Sequence, residues 1–199
     1  MPDNWIRTDE ARDVAGSIRH VILVSKFVEE DPLTWKWVVL ALHSALQGAC
    51  VCHLTKTAAP VGAVTRRNAV EWLEYFESSR TNPEAKPPKT HLMGLPDLLK
   101  TVRRPHSAGG PGDDVDVTIS DSELGWLVRF HDGIRNQFVH FEPIGWSIEV
   151  SGIPKLTRLA ARIIESIVRV GWAFRHLTLQ ERQEMQRDLK ILASLNWPI

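Results

Sequence analysis

The stretch from Arg129 to His140 reads Arg-Phe-His-Asp-Gly-Ile-Arg-Asn-Gln-Phe-Val-His and concentrates side chains able to do chemistry. On a helix, Asp132, Asn136 and His140 recur every four residues and form one polar line. Arg135 lies about 100° from Asn136 at 3.6 residues per turn, on the margin of that line. A carboxylate, an amide, an imidazole and a guanidinium are thereby offered together near a helix C-terminus, where a cationic imidazole is favoured. A guanidinium clamps phosphoryl oxygens through paired N–H donors. An imidazole with a reference pKa near ~6.5 can give or take a proton at neutral pH. His43 and Gln47, four apart in an otherwise apolar segment, make a second polar stripe that would support the same site. His131 falls on the apolar side of its helix and reads as a core histidine.

These residues need helices to position them, and the pattern supplies several. Val14, Ile18, Val21, Ile22 and Val28 recur at helical spacing from about Asp9 to Val28, before Asp31-Pro32 breaks the run. A second helix from about Leu33 to Lys56 is apolar nearly all round, as the central helix of a bundle is. Ser120-Asp-Ser-Glu123 is good N-terminal chemistry for a third long helix reaching about Phe141. Its buried stripe is Leu127, His131, Ile134, Phe138 and Phe141. Trp146, Ile148 and Val150 alternate with polar residues and predict a short β-strand or half of a hairpin near 146–151. A fourth helix follows from Lys155 to about His176, and a fifth, with Thr178 as N-cap, reaches about Leu195. Residues 57–119 hold two short helices, about Asn68–Ser78 and Gly94–Val102, between loops rich in proline and glycine. That third of the chain reads as an insertion on an otherwise single domain spanning 1–199. The fold class is all-α, an antiparallel helical bundle with minor β structure.

Composition narrows the function. With 199 residues, 43% of them hydrophobic, and 24 basic against 24 acidic side chains, the chain suits one globular domain with no net pull towards a polyanion. A nucleic-acid site would have to be local. Arginine outnumbers lysine 16 to 8, which favours planar bidentate contacts. Lys155, Arg158, Arg162, Arg169 and Arg175 make the fourth helix basic, as a solvated face. Cys50 and Cys52 point about 200° apart on a helix and cannot pair, which fits a reducing compartment. Cys50-Val-Cys52-His53 lacks the second ligand pair of a zinc site, so no metal and no cofactor are expected. The longest fully apolar run is Trp37 to Leu42, and the N-terminus lacks a secretory pattern. The expectation is a cytoplasmic protein with no membrane partner. Phosphate-loop, dinucleotide and G-x-S-x-G hydrolase motifs are missing.

Arg135-Asn-x-x-x-His140 resembles the R-N-x-x-x-H signature of the HEPN superfamily, the higher-eukaryote and prokaryote nucleotide-binding domains. Arg followed five positions later by His is expected about 0.6 times by chance in this composition, and requiring Asn after Arg lowers that to about 0.02. The helical layout of residues 9–56 and 120–176 agrees. The resemblance implies an all-α bundle, commonly a homodimer, and a metal-independent endoribonuclease of toxin or defence type with RNA as substrate and an antitoxin as a further partner. It also implies that Arg135, Asn136 and His140 are catalytic; Asp132, His43 and Gln47 are read from their spacing as supporting residues. RNA carries its own nucleophile, the 2′-hydroxyl, beside each phosphate. The alternative is a non-catalytic helical module that uses the same polar line to bind a nucleotide or a protein.

Overall fold

The computed structural model describes residues 4–6, 8–57, 60–111, 115–140 and 145–198. Helix α1 (Glu10–Val24) starts where Asp9 accepts the Arg12 N–H at 2.8 Å, and it buries Val14, Ile18 and Val21. Short 3₁₀ turns at Ser25–Phe27 and Pro32–Thr34 reverse the chain into α2 (Trp35–Leu54). The two helices run antiparallel: Ser44 donates to Asp13 at 3.2 Å, while His20 faces Trp37 at the other end. Helix α2 buries Val38, Val39, Leu42, Leu46 and Cys50 around most of its circumference, as its missing polar face requires. The span Pro32–Leu54 is long and apolar enough to cross a membrane, but 72% of its most apolar window is buried within the fold. That is the burial of a core helix.

Helix α3 (Arg66–Ser78) lies at the surface. Its buried Asn68 donates to Lys89 O and accepts from His91 N, both at 2.8 Å, beside an isolated antiparallel bridge between Val64 and Leu92. Helix α4 (Leu95–Val102) belongs to the main core, with Leu95, Leu98, Leu99 and Val102 fully buried. Helix α5 (Asp121–Arg129) opens on a capping box between Ser120 and Glu123. It continues through a π-helical segment, Phe130–Arg135, into α6 (Asn136–Val139). Helix α7 (Ile153–Val170) ends where Gly171 takes φ 82°, a left-handed conformation that costs glycine little. Thr178 and Glu181 form a second capping box for α8 (Leu179–Ala193). Helices α1, α2, α7 and α8 pack together, with α4 against α2 and α5 against α7. Arg162 ties α7 to α5 through Glu123 at 2.9 Å, so this arginine of the basic face is engaged.

The structure corrects one element. Residues 145–150 form no strand, although their polar–apolar alternation predicts one. A strand needs a neighbouring edge to satisfy its backbone, and among the described residues the one bridge is between Val64 and Leu92. The alternation serves packing on helices instead. Trp146 meets Phe138 edge-on at 5.0 Å, and Val150 packs against the core. The described residues are thus all-α. Phe141, placed on the buried stripe of the third helix, lies outside them.

Candidate functional site

The π segment governs the geometry of the Arg129–His140 stretch. The Asn136 N–H reaches back five residues to His131 O, one more than an α-helix allows. Each added residue per turn rotates later side chains away from the α register, so the polar line drawn from Asp132 to His140 is broken. Asp132, 63% exposed, turns towards His131, whose Nε2 lies 3.9 Å from its Oδ1. Arg135 is half-buried and donates from Nη1 to Asn136 Oδ1 at 2.9 Å. His140 stands just beyond α6 with φ −111° and ψ 81°, its N–H still bonded to Asn136 O at 2.8 Å. Its imidazole is exposed and makes no hydrogen bond to a described residue.

Two pockets flank this segment. One, of about 640 Å³, opens between α1, α2 and the π segment, with Asp13, His43, Ser44, Gln47 and Arg135 among its walls. The other, of about 660 Å³, lies between the helix and the 147–152 segment and is lined by Trp126, Arg129, Asp132, Gln137 and Glu149. Asp132 and Arg135 therefore face different pockets. The structure brings Arg135 to Asn136 and places Arg135 in the same pocket as the His43–Gln47 stripe. It joins the His140 imidazole to neither side chain by a hydrogen bond.

The contact least expected from the sequence is between two histidines. His43 Nε2 lies 2.8 Å from His131 Nδ1, and the rings stack at 5.0 Å. His43 is 4% exposed, and Phe130 covers it at 6.1 Å. Burial, then the Arg135 charge, then His131 push the His43 pKa down to about 3. Burial also lowers that of His131, opposed by Asp132 and reinforced by Arg135. The signal for this pair was the interruption of two apolar stripes, by His43 on α2 and by His131 on the third helix. Two such interruptions facing each other satisfy one another without a charge.

Elsewhere, Cys50 and Cys52 are buried free thiols, and burial pushes that of Cys52 up to about 12. They offer no reactive thiolate. Among the described residues no three His, Cys, Asp or Glu side chains gather closely enough to hold a metal ion.

Comparison with known proteins gives no family model, curated protein or solved structure that matches the chain. The likeness to R-N-x-x-x-H proteins therefore stands on the motif and the helical setting alone.

Proposed function

We propose that the chain is a metal-independent, RNA-cleaving protein of HEPN type in which Arg135, Asn136 and His140 handle the scissile phosphate. The observation that carries this reading is the Arg135–Asn136 hydrogen bond at the helix break, one turn before an exposed His140. The bond holds the guanidinium in place on the side of a pocket and leaves its other N–H groups for an anion. Arg135 would stabilise the charge that grows on the phosphoryl oxygens in the transition state. His140, whose imidazole makes no hydrogen bond to a described residue, would give a proton to the departing 5′-oxygen. A two-fold dimer would set two such groups on one RNA, and an antitoxin would cover them.

The acidic residues of α1 limit where the phosphate can lie. Asp9, Glu10 and Asp13 line the same pocket as Arg135. Asp9 is paired with Arg12, and Asp13 accepts from Ser44. A polyanion is thereby kept to the Arg135 side.

The test is cleavage of a mixed-sequence RNA by the purified protein in excess EDTA. His140→Ala is expected to lower the rate by about 10²–10⁴-fold. Wild-type activity in His140→Ala would overturn the assignment. Salt-sensitive RNA affinity without turnover would favour the binding-module reading instead.

A further inference from the structure

The His43–His131 pair has an order that its surroundings impose. At 2.8 Å a single proton must lie between the facing nitrogens, since two lone pairs would repel and two N–H groups would collide. Both rings are neutral, because burial and the nearby guanidinium of Arg135 oppose an imidazolium. Each neutral ring carries one N–H. Two arrangements remain. Either His43 Nε2–H donates to His131 Nδ1 and His131 keeps its single proton on Nε2, or the whole chain points the opposite way. Asp132 decides between them. Its carboxylate lies 3.9 Å from His131 Nε2 and favours a proton there. His43 is then left with a bare Nδ1, which makes no hydrogen bond to a described residue, on a ring that lines the 640 Å³ pocket beside Arg135.

We infer that His43 is the proton acceptor of this pocket and that Asp132, His131 and His43 form a relay carrying the proton to the surface. The inference rests on the RNA-cleaving reading and names the group that deprotonates the nucleophile. His43 Nδ1 takes the proton of the 2′-hydroxyl as O2′ bonds to phosphorus. The His43 Nε2 proton passes to His131 Nδ1, and the His131 Nε2 proton passes to solvent beside the Asp132 carboxylate, which lies 3.9 Å from that nitrogen. The P–O5′ bond breaks, and His140 supplies the proton to O5′. Each ring only exchanges one neutral tautomer for the other. A lone buried base beside Arg135 would have to become a cation, and the relay avoids that state. His131 and Asp132 act through His43 and are positioning residues. The charged groups near the pair are Asp132, beside His131, Arg135 from the π segment, and Asp9, Glu10 and Asp13 across the pocket.

The experiment measures RNA cleavage by the full chain in mixtures of H₂O and D₂O. Wild type should show a curved dependence of rate on deuterium content, the mark of several protons in transit. His131→Gln should cost about 10²-fold in kcat with little change in KM, and should leave a dependence less curved than that of wild type. Asp132→Asn, on an exposed side chain that does not endanger the fold, should lose about tenfold through the tautomer bias. His140→Ala should lose rate and keep the curvature. A His131→Gln protein, melting as wild type does and cleaving at wild-type rate with the wild-type curvature, overturns the relay alone. No cleavage by wild type overturns the RNA-cleaving reading, and the relay with it. Cleavage lost in His140→Ala and untouched in both His131→Gln and Asp132→Asn leaves the first reading standing and removes the second.

Discussion

Acidification should unfold this protein through its buried histidines before its carboxylates titrate. Burial and Arg135 hold His43 at about 3, and burial alone holds His53 at about 4, against 6.5 for a free side chain. Above pH 6.5 both rings are neutral in the folded and the unfolded chain, so their full contribution to stability is present. Below 6.5 the unfolded chain takes up protons that the folded one refuses, and stability falls as the pH falls. Near pH 5 almost two protons separate the states, a slope of about 2.5 kcal/mol per pH unit. By pH 4.5 the two rings together cost about 5 kcal/mol, comparable with the whole stability of a small domain at about 5–15 kcal/mol. His131, also lowered, adds loss of the same sign. Glu71, Glu123 and Glu181, held below the usual carboxylate range by hydrogen bonds and neighbouring arginines, contribute only at lower pH. The assay is urea unfolding followed by circular dichroism at half-unit steps from pH 7.5 to 4.5. His43→Gln should reduce the slope by about half, since it removes one of the two protons. A stability flat across that range, or an equal slope in wild type and His43→Gln, refutes the reasoning.

Arg135→Ala removes a cation that opposes protonation of His43, so its acid-unfolding midpoint should move to lower pH than that of wild type, read in the same series. Thr178→Ala breaks the capping box of α8 and should cost about 1 kcal/mol, seen as a lower Tm. Gly110→Ala would place a Cβ 2.2 Å from the Trp172 ring. That ring is fixed by its Nε1–H bond to Thr55 O at 2.9 Å and by Arg175 stacked at 3.8 Å. The loss should be on the order of 2 kcal/mol, measured as a shift in urea midpoint.

What was legible in the sequence was what depends on neighbours along the chain. Asp9, Ser120 and Thr178 cap their helices by bonds to residues three positions on, and such short-range chemistry is visible in spacing alone. The failed strand shows the opposite case. Alternation at Trp146, Ile148 and Val150 states which side chains seek cover, but only a partner edge makes a strand, and the cover here is helical. The π segment was hidden for a related reason. Leu127, Ile134 and Phe138 meet the core whether or not one residue is added between them, so the apolar stripe does not register the insertion. The polar side chains do. One added residue sends Asp132 to one pocket and Arg135 to the other, and sets His131 against His43 from 88 positions away. A buried pair of that separation leaves in the sequence only two misplaced histidines, each of which reads alone as a satisfied core residue. Their meaning lies in being together beside Arg135, because a cation at that point makes the neutral, ordered pair the stable one. The chemistry open to the pocket is then that of a neutral base with a route for its proton, and a motif read one residue at a time cannot express that.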